Sequence, residues 1–425
     1  MKVALLVAEG PAEAEPFLGL ALGLMKAGHD VRLACGLRAA SLATARGIRS
    51  VALSIADLRG DMIPGGAQRP ARESPLSGFS PIPSARRLLA GAWRAVLGSD
   101  VVVYHPGMRA AALLAERLGV PAIAASTQPP GSLGSGLPPP VPRERANPPP
   151  PTGGAAGRGA AWRVPFAGID ATLKYRPRVA RRPTVRLAPK RRFGGWGSGS
   201  TILYAMSRHL VDPVRLRPGS ALTGYWFADR PESWAPPADL ARFLESGSPP
   251  VYVDLGDTMP IDPDRAAWFA LDALSRAGLR GILRRGACSL RPSGARLPGH
   301  VFVVEEAPLD WLLPRVPGVV IHAGAGPVAS ALRAGSPMVV IPFTREQRFW
   351  ARRVHRRGAA PAPIFTQDLC AATLADAMAQ VVNDDLLRAR ARALGARVRQ
   401  EDGIRRAVTL IERALPASRR TAPDR

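Results

Sequence analysis

The 425 residues are more than one hydrophobic core normally serves, so two domains are expected. A hydrophobic share of 46% against 21% charged residues excludes a disordered chain. The formal net charge of +25 invites a nucleic-acid reading, but no zinc-finger spacing or aromatic RNA-binding motif accompanies it. The excess, mostly arginine scattered through alanine- and glycine-rich sequence, is read as serving anionic ligands or peripheral contact with an anionic membrane. No nucleic-acid partner is expected.

The opening run Val3 to Ala8 is short and wholly apolar, as in a parallel strand covered on both faces. It lacks the long apolar stretch and cleavage site of a signal peptide, and no run approaches the ~18 apolar residues of a membrane span. A helix from Pro16 to Ala27 should follow and end at Gly28, with a second strand over Val31 to Cys35. Asp100 to Pro106 predicts a strand entering a loop, Arg109 to Leu118 a helix, and Val120 to Ser126 a strand. This alternation predicts α/β architecture with a doubly wound parallel sheet. The three cysteines, Cys35, Cys288 and Cys370, form neither a disulfide framework nor a metal pair and suit a reducing cytoplasm.

Residues 128–199 break the rhythm with proline runs and glycine clusters. From Val141 to Ser200 there are 13 Arg/Lys against 2 Asp/Glu, a local excess of +11. Trp162 to Arg178 could form an amphipathic helix beside a cleft; a surface insertion is the competing reading. Alternation resumes with strands at Pro250 to Asp257, Gly281 to Gly286, Val301 to Pro308, Gly318 to Gly326 and Met338 to Phe343. The expected division is an N-terminal lobe over 1–217, a linker over 218–249, a C-terminal lobe over 250–415 and a basic tail over 416–425. A cleft between two such lobes is the default ligand site.

The sharpest local signal is VVIHAGAGPVASALRAG, a buried strand running into His322, Gly324 and Gly326, with a helix beginning at or near Pro327. Glycines let the backbone approach a ligand, and a helix start offers free N–H groups and the positive end of a dipole. Phosphate binding and plain structural punctuation both fit this loop alone.

Several blocks together, Leu222 to Pro237, Pro250 to Gly256, Val301 to Arg357 and Gln400 to Arg406, resemble the UDP-sugar-dependent glycosyltransferases. That family includes sterol, rhamnolipid and glycopeptide-antibiotic enzymes. The resemblance implies a GT-B fold, two Rossmann-like lobes facing across a cleft, with donor on the C-terminal lobe and acceptor on the N-terminal one. It implies transfer of a hexose from a UDP- or dTDP-sugar to a hydroxyl of an apolar natural product or lipid. The mechanism would be inverting and metal-independent, with no cofactor beyond the nucleotide-sugar co-substrate.

Residue by residue, the resemblance assigns His322, Gly324, Gly326 and the Asp257 position to the donor diphosphate. It assigns Glu346 and Gln347 to the sugar, and Ala307 and Leu309 to the nucleobase side. Ile321, Ala323 and Pro327 replace a His, a Gly and a Thr of the family pattern, and Asp257 replaces a hydroxyl. Arg345 and Arg348 replace Gly and Pro. Asp310 and Trp311 are retained, but a helix N-cap and a packed aromatic are the better reading of them. Alignment places Glu13 at the position of the catalytic base. Repulsion among Glu9, Glu13 and Glu15 could raise one pKa there, while an acidic turn that merely begins a helix is the alternative. The substitutions around the donor leave a rival open: an impaired relative acting as a binding partner.

Overall fold

The computed structural model describes residues 1–7, 11–53, 82–129, 201–213, 216, 218–256, 263–285 and 297–415. The expected insertion beyond Pro129, its amphipathic helix, Glu9, Asp257, Cys288 and the basic tail lie outside them. Cys35 is buried and Cys370 exposed, both as free thiols.

The first sheet has seven strands, all parallel, in the order β3-β2-β1-β4-β5-β6-β7. They are β1 Lys2–Leu6, β2 Asp30–Gly36, β3 Arg49–Leu53, β4 Val101–Tyr104, β5 Ala122–Ser126, β6 Ile202–Tyr204 and β7 Ser220–Leu222. Helices α1 Pro11–Lys26, α2 Leu37–Ala45, α3 Ile82–Val96 and α4 Ala110–Leu118 connect them. Every residue of β4 is buried, as is β1 from Val3 onward, which is why these strands carry no polar alternation. Helix α1 starts five residues before the position read from the sequence, and Pro16 lies inside it. Glu13 in its first turn faces the positive end of the helix dipole, favouring the longer helix.

The second sheet has five parallel strands in the order β10-β9-β8-β11-β12. They are β8 Val251–Asp254, β9 Gly281–Arg284, β10 Val301–Val304, β11 Val319–Ile321 and β12 Met338–Val340. The accompanying helices are α5 Ala238–Glu245, α6 Pro263–Arg276, α7 Leu309–Leu312, α8 Ala325–Ala334, α9 Arg345–Arg356, α10 Ala371–Asn383, α11 Asp385–Arg399 and α12 Gly403–Arg413. Among the described residues no helix is long and apolar enough to cross a membrane. Strand order reverses between β1 and β4 in one sheet and between β8 and β11 in the other. Each reversal opens a crevice at the carboxyl ends of the strands.

The end of the chain does not stay with the second sheet. Helix α12 returns to the first, where Ala407, Val408 and Ile411 join one buried cluster with Leu5, Phe17 and Leu20. The last helix of the span read as the second lobe, 250–415, thus packs against the first sheet. The return requires glycine: a Cβ on Gly403 would lie 2.3 Å from the Tyr225 carbonyl oxygen, and one on Gly23 would lie 2.0 Å from Ile404 Cγ2. His29 Nε2 and Glu412 Oε1, 2.9 Å apart, close the far end of the same contact.

Backbone cannot move aside as a flexible side chain can. Gly403→Ala should therefore destabilise the protein by about 2 kcal/mol, within the usual cost of overpacking. Gly299→Ala, where the added methyl meets nothing within 4 Å, should change stability by less than about 0.5 kcal/mol. Urea unfolding of the two variants checks both; equal stabilities would contradict the close crossing.

Candidate functional site

The parallel register of β8 with β11 places Asp254 beside Ile321, so the loops that follow them emerge side by side. The His322 ring sits between those loops. A Cβ on Gly256 would come within 2.9 Å of its Nδ1, and one on Gly324 within 2.6 Å of its Nε2. Gly256 also has a φ of +78°, which favours glycine independently of the ring. Its N–H donates to Asp254 Oδ1 at 2.9 Å. That carboxylate, almost wholly buried at the end of β8, also receives Arg284 Nη1 at 3.3 Å from the end of β9. The buried carboxylate is thus both paired and hydrogen-bonded, as burial of a charge demands.

Between His322 and Gly324, Ala323 takes a φ of 58°, the one positive value at a non-glycine among the described residues. The left-handed conformation costs an alanine about 1–2 kcal/mol, and the residue is buried, so packing must hold it there. Helix α8 then begins at Ala325 with Gly324 as its cap, two residues before the start expected at Pro327. Pro327 is the third helical residue, and the N–H of Val328 already donates to the Gly324 carbonyl at 3.0 Å. The first turn therefore presents backbone donors at Ala325 and Gly326 and lacks the one that proline removes. This is a reduced anion site, with the positive end of the helix dipole intact.

At the end of neighbouring β12, Gln347 is buried and acts as a cap. Its Oε1 accepts from the backbone N–H groups of Phe343 at 2.7 Å and Thr344 at 3.0 Å, while Thr344 Oγ1 accepts from its own N–H. The capping box occupies the amide oxygen expected to face a sugar, leaving only the Nε2 side of the group for a ligand. Glu346 Oε1 accepts from Trp350 Nε1 at 3.3 Å. Ala307 and Leu309 are half-buried at the end of β10, packed against the core. Pro308, not Asp310, caps α7; Asp310 instead pairs with Arg230 at 2.6 Å. Trp311 is buried against Trp234, ring centroids 5.2 Å apart, which gives it the packing role.

Across the cleft, Glu13 is half-buried in the first turn of α1, at the carboxyl end of β1. Glu15 is open to solvent on one side but ringed by both lobes. Burial foremost pushes its carboxyl above the ordinary 4.5; Arg46 opposes the shift, and Asp310 and Glu306 add to it. Repulsion from the second lobe thus reaches the acidic turn. His105, missed in the sequence, is buried at the end of β4. Its Nδ1 accepts from the Gly107 N–H at 3.2 Å, which assigns the ring proton to Nε2. Phe17, one turn after Glu13, meets the same ring edge-on at 6.1 Å. A histidine immediately after a buried run was the available signal. Asp254 gave another, an acid inside an apolar strand.

Among the described residues, no three His, Cys, Asp or Glu side chains gather into a metal-binding group. The arrangement can hold an anion between the Gly256 loop, the His322 ring and the start of α8, facing acids at the carboxyl end of the first sheet.

Residues 284–403 match the erythromycin biosynthesis protein CIII-like C-terminal domain. Sterol 3-beta-glucosyltransferase UGT80A2 of Arabidopsis thaliana is 28% identical over 449 residues, covering 100% of this chain and 67% of that protein. O-mycaminosyltylonolide 6-deoxyallosyltransferase of Streptomyces fradiae is 36% identical over 240 residues, covering 56% of this chain and 55% of its own. The chain thus spans about two thirds of the plant relative and about half of the bacterial one. The crystal structure of the glycosyltransferase SnogD from Streptomyces nogalater superposes with a TM-score of 0.63 at 22% identity, over 97% of this chain and 99% of that one.

Two predictions follow from this geometry. Pro327→Thr restores a hydroxyl and an N–H at the helix start, and one charge-assisted hydrogen bond should tighten nucleoside diphosphate binding about tenfold in calorimetric titration. Unchanged affinity would remove the first turn of α8 from the anion site. For Glu15, a raised folded-state pKa means the folded chain holds the proton more tightly than the unfolded one. Its contribution is favourable at low pH and is lost as pH rises through the folded value. Glu15→Gln should therefore flatten the decline in stability above pH 4.5, measured by urea unfolding across a pH series; identical slopes would refute the assignment.

Proposed function

We propose that this chain, a member of the UDP-sugar glycosyltransferase family, moves a hexose from a nucleotide-diphosphate sugar to a hydroxyl of a sterol or another apolar natural product. The observation that carries the reading is the His322 ring held between two glycine loops at the reversal of the second sheet. There the ring lies beside Gly324, the cap of a helix whose first amides and dipole end favour an anion.

In the proposed reaction the Glu13 carboxylate takes the proton of the acceptor hydroxyl as its oxygen attacks the anomeric carbon. The bond from that carbon to the diphosphate oxygen breaks, and the nucleotide diphosphate leaves with the electron pair. A single displacement inverts the anomeric centre. His322 and the amides of Ala325 and Gly326 stabilise the charge that develops on the leaving oxygen. This positive field makes a metal unnecessary in the proposal. Glu346 and the free side of the Gln347 amide orient the sugar, and Ala307 and Leu309 line the nucleobase side.

The rival, a non-catalytic partner, is not favoured by the comparisons. Two of its motivating substitutions also lose force in three dimensions. Ile321 and Ala323 are buried packing positions, so changes there leave His322 and the α8 amides in place.

Calorimetric titration with UDP- and dTDP-sugars tests the donor half of the proposal, and absence of binding by a folded sample would end it. Glu13→Gln should lower turnover by 10²-fold or more, the scale of general-base catalysis, while nucleotide affinity stays within about twofold. Retained turnover would reject Glu13 as the base.

A further inference from the structure

Helix α9 has two unlike faces. Gln347, Trp350, Ala351 and Val354 are buried, while Arg345, Arg348, Arg352 and Arg356 all stand exposed. Their spacings of three, four and four residues align the arginines in one stripe, about 16 Å long at the helical rise. Glu346 lies off the stripe, bonded to Trp350, so the row contains no carboxylate. Arg348 rests 5.7 Å from the Phe365 ring centroid.

The stripe is electrostatically unfavourable in the free protein. Like charges four residues apart, Arg348 with Arg352 and Arg352 with Arg356, repel along the helix. Arg345 and Arg348 additionally sit near the positive end of the dipole. An anionic surface would relieve both.

The face continues beyond the helix. A Cβ on Gly358, just past α9, would lie 2.8 Å from Arg390 Cδ, so Arg390 of α11 adjoins the stripe's end. Leu386, one turn earlier in α11, is 60% exposed. Both line a surface cavity of ≈ 220 Å³ with His355, Leu387 and Asp384, whose carboxylate is engaged by the Leu387 N–H as the cap of α11.

We propose that this face, Arg345, Arg348, Arg352 and Arg356 continued by Arg390 and Leu386, docks the protein on an anionic lipid bilayer. A row of guanidinium groups beside an exposed aliphatic side chain matches a bilayer, which offers phosphates above and hydrocarbon below. Nucleic acid would use the charge but not the leucine. Docking would also bring the cleft to a phase in which an apolar acceptor dissolves, and in that respect alone it rests on the acceptor reading above.

Sedimentation of the full chain with phosphatidylcholine vesicles, with and without phosphatidylserine, tests the surface without any sugar nucleotide. Its outcome is therefore separate from that of the donor titration. Binding should require phosphatidylserine and weaken with salt. Each arginine near an anionic surface contributes roughly fivefold, so Arg352→Gln with Arg356→Gln should weaken binding about 25-fold. Leu386→Gln should remove the part that survives raised salt. Unchanged vesicle binding in the folded double variant would overturn the proposal, as would equal binding to neutral vesicles by the parent. Binding to an RNA duplex that the double variant loses, with no vesicle binding by the parent, would overturn it in favour of a nucleic-acid surface.

Discussion

The candidate site depends on a steric exclusion: two glycines, one from each of two neighbouring loops, close on one imidazole ring. With a methyl group at Gly256 or Gly324, the His322 ring could not occupy its position, the would-be contacts being 2.9 and 2.6 Å. The constraint is set upstream, by the register that puts Asp254 beside Ile321, so that the two loops leave the sheet as neighbours. It is also fixed laterally, because Asp254 anchors Gly256 through its N–H and is itself held by Arg284. Strand pairing, a buried ion pair and backbone shape therefore orient the ring together. An orientation fixed in this way costs little reorganisation when negative charge develops nearby.

Sequence pattern revealed those parts of the fold whose signal is local. The continuous apolar runs at β1, β4, β8 and β11 mark strands buried on both faces, and they stand as read. β3, β6 and β7 had no such signal. Two of these are three residues long, and β3 carries exposed Arg49 and Ala52 among half-buried neighbours. Strands of that kind exist because a neighbouring strand supplies their hydrogen bonds, a fact outside any short window. The site divided along the same line. His322 and Gly324 were legible from a glycine loop after a buried strand, whereas Gln347 could not be seen as a cap without the helix it caps. Asp310 resembled an N-cap until Arg230, distant in sequence, claimed its carboxylate. One raised pKa was expected among Glu9, Glu13 and Glu15, and two of the charges that assist burial at Glu15, Asp310 and Glu306, lie about 300 residues away in sequence.

How the two lobes are joined follows from comparing the strengths of their contacts. At the mouth of the cleft the contacts are polar: Arg38 to Glu306, Arg230 to Asp310, Arg333 to Asp229, and Arg46 to the Asp229 carbonyl. Exposed pairs of this kind contribute at most about 1 kcal/mol each and weaken with salt. At the opposite end, α12 buries Val408 and Ile411 against the first lobe, roughly 1.5–3 kcal/mol for each such side chain. Gly224 and Gly403 bring the two backbones into direct contact there; the φ of +100° at Gly224 and the close approach at Gly403 leave neither position open to another residue without rearrangement. The joint is therefore apolar and close-packed on one side, polar and solvent-screened on the other. A ligand entering between the lobes works against the weaker set, while the stronger one keeps the sheets in register. Polar contacts at the mouth can exchange with water at little net cost, so a cleft built this way can admit a donor and release a charged product without disturbing the core that aligns His322.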